Sequence, residues 1–295
     1  MSVKEDHRAR VARWRKWARR AVEAGARTPF YLFAADPVAE RVGELERLDV
    51  GRPVTQWFSC KTQPLPALLR WWEGQGRPIE VVSEFELRLA LSAGFTPDRI
   101  LVNGPAKHRW LAGRRERGLR VNFDSLHELE ALLPEALRGG WDTGLRLHTA
   151  GEIDPENPAQ STQFGLRADE AARALERLRS AGLNPRILHF HLRTNLDDPG
   201  VLAGALGEAA AFGRNHGWEP EVLDVGGGLP PPHGFTRKGR PLAEGLSLAT
   251  YARTLRQGLA EFPGPREVWM EHGRFVCAGS GVLAVGVLDR KDWPE

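Results

Sequence analysis

Short apolar runs alternate along the chain with segments whose apolar residues recur every three or four positions. The runs Val54–Lys61, Ile79–Val82, Ile100–Val102, Leu119–Phe123, Gly144–His148, Ile187–Leu192, Val222–Val225 and Val268–Glu271 are rich in Val, Ile and Leu. They predict eight strands. Between them Glu84–Ala93, Ala106–Arg117, Ser125–Leu137, Ala168–Ala181, Val201–Asn215 and Leu248–Phe262 have the spacing of amphipathic helices. Asp124 or Ser125 is placed to cap the third of these, with Glu128 where a capping box needs it. Strict alternation predicts parallel strands joined by right-handed crossovers. Eight near-equal units predict closure into an α/β (β/α)8 TIM barrel rather than a doubly wound open sheet.

Two apolar runs fall outside this series. Phe30–Phe33 precedes a helix at Pro37–Leu48, and Gly281–Leu288 follows the eighth strand. Both are orphans to a barrel and are expected to pair with something this sequence does not supply. The expected division is N-terminal helices and a short strand over 1–50, a barrel over 51–279, and the start of another unit over 280–295. His7–Ala26 carries Arg8, Arg10, Arg13, Arg15, Lys16, Arg19 and Arg20. A membrane-surface or transit helix is one reading. The favoured one is a solvated amphipathic helix packed through Val11, Trp14, Trp17 and Ala18, because the arginines surround it and Glu5, Asp6 and Glu23 interrupt the charge.

Composition narrows the function classes. The chain has 295 residues, 41 basic against 38 acidic, for a net charge of +3, so no nucleic-acid partner is implied. Two cysteines, Cys60 and Cys277, make no disulfide framework. No apolar run reaches the roughly 18 residues of a membrane span. No signal-peptide pattern is present. A cytoplasmic protein without a membrane partner is expected.

In a parallel barrel the carboxyl ends of the strands meet at one rim, where sites are built. The residues gathered there are Lys61; Glu80 and Ser83; Arg146 and His148; His189, His191 and Thr194; Gly226, Gly227 and Gly228; and Glu271, His272, Gly273 and Arg274. Burial lowers a lysine's pKa, and a neutral Lys61 amine can form a Schiff base. The triple glycine reads as a phosphate cup or as a tight turn, with Arg274 a charge-assisted partner for an anion. Glu271 beside such a cup suits a pyridine nitrogen, which a carboxylate keeps protonated. An amine, an anion cup and a carboxylate together describe pyridoxal 5'-phosphate. His189 and His191 share one side of their strand. They read as ordinary packing, as a ring lying on a cofactor, or as a metal pair which with His272 makes a metal-dependent barrel hydrolase.

The order of motifs resembles the fold-type III pyridoxal-phosphate amino-acid decarboxylases: diaminopimelate, ornithine, arginine and carboxynorspermidine decarboxylases. The motifs are Thr28–Phe33, Ser59–Thr62, Glu80–Phe95, Phe123–Ser125, Gln163–Leu166, His189–His191, Asp224–Leu229 and Glu271–Arg274. The resemblance implies an alanine racemase-like barrel that decarboxylates a basic or diamino acid through a Schiff base on Lys61. It implies that His191 stacks on the cofactor ring and that Glu271 pairs with the ring nitrogen. Gly226, Gly227, Gly228, Gly273, Arg274 and Thr194 would hold the phosphate, with Glu80 and Arg146 as supporting contacts and no metal. The family's Gly-Ser is Arg193-Thr194 here, its E-P-G-R is E-H-G-R, Glu80 stands where aspartate is common, and Gln163 stands where a lysine often precedes Phe-Gly. The family continues into a β-domain that carries a cysteine motif and completes the site across a dimer. The chain is therefore expected to work as a homodimer or with a partner chain supplying that domain. A non-catalytic pyridoxal phosphate-binding or regulatory protein, like the small barrel-only members of the fold type, is the alternative.

Overall fold

The computed structural model describes residues 3–153, 162–235 and 239–292, with the side chains of residues 3–7 left aside. The stretch 154–161, within the expected polar loop, lies outside the described residues, as do Glu5 and Asp6 as side chains and 293–295. The barrel strands are β2 (Val54–Gln56) and β3 (Phe58–Ser59), β4 (Ile79–Val81), β5 (Ile100–Val102), β6 (Arg120–Phe123), β7 (Asp142–Arg146), β8 (Ile187–His189), β9 (Val222–Asp224) and β10 (Glu267–Met270). All neighbours pair in parallel, from β3 round to β10 and on to β2. β2 and β3 are two halves of one strand interrupted at Trp57. The first half pairs with β10 and the second with β4, so this strand closes the ring. The eight expected strands are therefore all present.

Period-two alternation decides what fills the barrel. Ile79, Val81, Ile100, Val102, Val121 and Leu188 face outward into the main core with the surrounding helices. Trp57, Leu101, Ile187, Val222 and Trp269 form a separate apolar cluster that plugs the amino end of the barrel. Two residues further along, the inward positions are polar: Ser59, Glu80, Asn103, Asn122, His189, Asp224 and Glu271, all buried. Gly144 leaves room in this layer, since a Cβ there would collide with Asn122 Oδ1. The apolar plug thus supports a polar floor directly beneath the carboxyl-end rim.

The helices are α1 (Val3–Glu23), α2 (Asp36–Glu46), α3 (Pro66–Gly74), α4 (Glu84–Ser92), α5 (His108–Leu111), α6 (Leu126–Gly139), α7 (Ala168–Ser180), α8 (Pro199–Asn215), α9 (Leu248–Ala260) and α10 (Gly273–Cys277). α3 escapes the sequence reading, although Pro66 at its start and buried Leu69 and Trp72 mark it. α5 is four residues long where Ala106–Arg117 predicted a full helix. Gly113 turns the chain at φ +76°, which a continuing helix does not permit. Lys107 is also drawn inward to Glu128 at 2.5 Å, with both side chains fully buried. α1 packs as expected, with Trp14 buried and edge-on to Trp17 and Arg13 bonded to Glu40 at 2.7 Å.

The two orphan strands correct the sequence reading. β1 (Phe30–Phe33) and β11 (Gly281–Ala284) pair antiparallel with each other, Phe30 opposite Ala284 and Phe33 opposite Gly281. Gly281 permits this, because a Cβ there would meet the Phe33 ring at 2.7 Å. β11 ends at Ala284 rather than Leu288, and Val285, Val287 and Leu288 are exposed.

Candidate active site

Strand β3 ends at Ser59, and Lys61 lies one turn later in a 3-10 turn, Cys60–Thr62. The turn swings the amine back over the barrel mouth, where Lys61 Nζ sits 3.2 Å from both Glu80 oxygens. Ser59 Oγ donates to Glu80 Oε2 at 2.7 Å and fixes that carboxylate. Burial pulls the Lys61 ammonium down, but the carboxylates of Glu80, Glu271 and Glu86 outweigh it and hold the group above its ordinary value. The expected lowering is therefore reversed in the ligand-free site, since burial here comes with anions. With 46% of its side chain exposed, the amine remains open to an incoming group.

Two adjoining cavities share Lys61, His191, Thr194 and Glu271 in their walls. The first, about 440 Å³, continues past Asn195, Gly227, Gly228, Gly273 and Arg274. Glycines form its wall for a steric reason. A Cβ on Gly226 would stand 2.6 Å from His191 Nδ1, one on Gly227 2.9 Å from the Glu271 carbonyl, and one on Gly273 against Thr62 Oγ1. Arg274 reaches Asn195 Oδ1 at 3.4 Å, and the loop is tied down where Leu196 N–H donates to the Gly228 carbonyl at 2.8 Å. Arg193 turns along its own loop to Asp197 at 2.8 Å, so it neither fills this cavity nor points to an anion there.

The second cavity, about 620 Å³, is walled by Glu80, Asn103, Arg146, Glu152 and Phe164 among others. Arg146 is held by Glu152 at 2.9 Å and Asp124 at 3.7 Å, and its guanidinium lies 4.8 Å from the centre of the Phe164 ring.

Glu271 stands at the junction, buried. Asn103 Nδ2 donates to its Oε1 at 2.5 Å, and His191 Nδ1 lies 3.6 Å from its Oε2. Burial raises Glu271, helped by the neighbouring Asp224 and Glu80 carboxylates. His191 is lowered to about 4, chiefly by burial, so it is neutral near pH 7. His189 lies beneath it, its ring centre 6.1 Å away, with Nδ1 3.0 Å from Asp224 Oδ2.

Of the other rim candidates, Ser83 caps α4 by accepting from Glu86 N–H at 3.3 Å. His272 points away from the cavities and meets the Tyr251 hydroxyl at 3.0 Å, so the three-histidine set of a metal hydrolase is not assembled. Sequence reasoning passed over Asn103, Asn122, Glu152 and the side chain of Asp224. Their signal was present, because each of the first two is an amide in or just past a strand of otherwise buried apolar residues.

His272 carries a prediction about pH. Burial lowers it to about 3, so the unfolded chain binds a proton at His272 before the folded protein does. Its contribution to stability is fully present above about pH 6.5 and is lost as pH falls toward 3. Relative to His272→Asn, the parent should lose about 1.4 kcal/mol more per pH unit between pH 6 and 4. Urea unfolding at a series of pH values reads this directly; a pH-independent difference between the two proteins would contradict it.

The fold and site define a parallel barrel whose mouth offers an amine, a glycine-walled cavity with an arginine, and a buried carboxylate. That donor set fits pyridoxal phosphate group for group. Residues 40–278 match the family described as pyridoxal-dependent decarboxylase, pyridoxal binding domain, and the chain belongs to that family. It is 27% identical over 276 residues to diaminopimelate decarboxylase of Methanothermobacter thermautotrophicus, covering 90% of this chain and 64% of that one. It is 31% identical over 238 residues to biosynthetic arginine decarboxylase of Alkalilimnicola ehrlichii, covering 73% and 38%. Diaminopimelate decarboxylase from Helicobacter pylori, solved in complex with L-lysine, superposes with a TM-score of 0.75 at 22% identity, covering 90% of this chain and 68% of that one. The chain spans less than two thirds of the length of curated relatives it matches.

Proposed function

We propose that the protein is the cofactor-holding barrel of a pyridoxal phosphate-dependent decarboxylase acting on a basic or diamino acid such as diaminopimelate, ornithine or arginine. The observation that carries this reading is the convergence of Lys61, Gly227, Gly228, Gly273, Arg274 and Glu271 on one cavity, with Gly226 packed against His191 in its wall, inside a barrel of this family. When bound, pyridoxal phosphate supplies an aldehyde for an amine and a ring that accepts the electron pair left by departing carbon dioxide. Lys61 provides the amine, aimed by Glu80. Gly226, Gly227 and Gly228, with Gly273, Thr194 and Arg274, take the phosphate, where an arginine and backbone N–H groups suit a dianion. Neutral His191 lies along the ring, and Glu271 holds a proton at the ring nitrogen. Arg146 supports this arrangement from the second cavity.

The two-stranded ribbon supports a partner. Tyr31 and Phe33 stack at 6.2 Å on its outer face and, with Leu283, stay exposed. That face suits a β-domain on another chain, or a second copy in a homodimer. Among the described residues no helix is long and apolar enough to cross a membrane, and both buried cysteines are free, which accords with a cytoplasmic setting.

The test is carbon dioxide release from diaminopimelate, ornithine, arginine and lysine, by the protein alone and mixed with a β-domain chain. Release above background that depends on added cofactor is expected from at least one substrate in one format. Cofactor binding with no release in any format would favour the non-catalytic binding or regulatory reading.

A further inference from the structure

Behind Glu271 the polar floor is linked by a chain of hydrogen bonds. Asn103 Nδ2 donates to Glu271 Oε1 at 2.5 Å, Asn122 Nδ2 to Asn103 Oδ1 at 3.0 Å, and Asn122 Nδ2 also to Asp224 Oδ2 at 3.2 Å. The Gly226 N–H donates to Asp224 Oδ1 at 3.0 Å, and His189 Nδ1, which donates to the Asp224 main-chain carbonyl at 3.2 Å, also stands 3.0 Å from Oδ2. All of these side chains are buried. Two carboxylates therefore share one enclosed site, and among the described residues no lysine or arginine bonds to either. The charged and titratable groups facing them are Glu80 from β4, Lys61 from the 3-10 turn, Arg146 from β7, and His189 and His191 from β8 and the loop after it. Lys61 is engaged by Glu80 and Arg146 by Glu152.

We propose that Asp224 is the positioning residue of Glu271: its carboxylate, anchored by Asn122 and the Gly226 N–H, places a second negative charge behind Glu271 that favours a protonated ring nitrogen on the bound cofactor in front of it. The asymmetry of the pair supports this. The Asp224 carboxylate accepts two hydrogen bonds, with His189 Nδ1 3.0 Å away, whereas Glu271 accepts one, from Asn103, beside the His191 contact at 3.6 Å. The better-solvated partner holds the negative charge, and the poorer one holds the proton. A ring nitrogen held against Glu271 would share a proton with that carboxylate, with the Asp224 charge close behind. Each carboxylate would then favour the protonated ring, Glu271 through contact and Asp224 through its charge. Burial raises Asp224 to about 7 and raises Glu271 as well, as two acids competing for one proton require.

This inference rests on the reading that Glu271 meets the ring nitrogen, and the test separates the two. Holo protein is prepared with pyridoxal phosphate labelled with 15N in the ring, and the nitrogen resonance is followed with pH. In the parent the resonance should stay at the protonated position to above pH 8. In Asp224→Asn it should move toward the unprotonated position by pH 8, with the cofactor still bound. Asn122→Ala, which removes one donor from Asp224, should shift it in the same direction by less, and decides the matter if Asp224→Asn does not fold. Glu271→Gln should give the unprotonated signal throughout. If Glu271→Gln shifts the resonance while Asp224→Asn, or Asn122→Ala in its place, leaves it where the parent has it, the role of Asp224 is overturned. If Glu271→Gln leaves it unmoved, the placing of Glu271 at the ring nitrogen fails instead.

Discussion

Lys61→Ala is expected to abolish the borohydride-trappable attachment of pyridoxal phosphate, together with its absorbance band at about 420 nm. Among the described residues Lys61 is the one lysine lining either cavity. Lys107 is fully buried against Glu128 and the Gly104 carbonyl, so among the described residues no second amine stands ready to substitute. Any cofactor-dependent decarboxylation should fall by at least about 10⁴-fold, some 5.5 kcal/mol of transition-state stabilisation. Alanine also leaves Glu80 buried without its cation, a loss worth a few kcal/mol in a closed site. Lys61→Arg controls for that effect: it keeps the charge beside Glu80 but offers no amine that condenses with an aldehyde, so it should fold like the parent and still lack the band. Spectra before and after borohydride, with mass analysis of the labelled peptide, check both variants. A band that survives in Lys61→Ala would remove the basis of the proposed function.

The parts of this design that repeat were legible in the sequence. Eight apolar runs separated by helical periodicity define a parallel barrel, and parallelism alone places Lys61, Arg146, Gly226 and Glu271 at one rim. What escaped depends on contacts between distant segments. Phe30–Phe33 and Gly281–Ala284 are short and apolar, and nothing local to either says that its partner lies at the other end of the chain. The cap of α6 was half readable. Ser125 accepts from Glu128 N–H at 3.2 Å, but the Glu128 side chain accepts instead from the Asp124 and Lys107 N–H groups, because buried Lys107 arrives from the preceding unit. The same contact shortens α5. The polar floor was visible as single residues, Asn103 and Asn122 in apolar strands, but their linkage to Asp224 and Glu271 needs the barrel to close. The amine's electrostatics were misread for a related reason: burial was foreseen, while the carboxylates near Lys61 come from distant segments, Glu80 on β4, Glu86 on α4 and Glu271 just past β10.

Gly226→Ala is expected to be the most damaging single-methyl change at the cofactor site. Gly226 holds φ +63°, a left-handed conformation that costs an alanine roughly 1–2 kcal/mol. Its new Cβ would stand 2.6 Å from His191 Nδ1 and 2.9 Å from the Phe190 carbonyl. The carbonyl belongs to backbone beside β8 and yields little, so the imidazole must give way. His191 lines both cavities and neighbours Glu271, so displacing it disturbs the proposed ring site as well as the proposed phosphate pocket. A total cost of about 2–3 kcal/mol would lower Tm by roughly 4–12 °C. Cofactor affinity should fall by about 10²-fold, equivalent to some 2.7 kcal/mol. Gly279→Ala is the matched control, because its Cβ would meet nothing within 4 Å; its Tm and cofactor affinity should match those of the parent. Thermal melts with and without cofactor, and titration of the absorbance band, read both quantities. Parent-like cofactor binding in Gly226→Ala would mean that the glycine wall does not shape the cofactor pocket, and the phosphate assignment would have to move elsewhere on the rim.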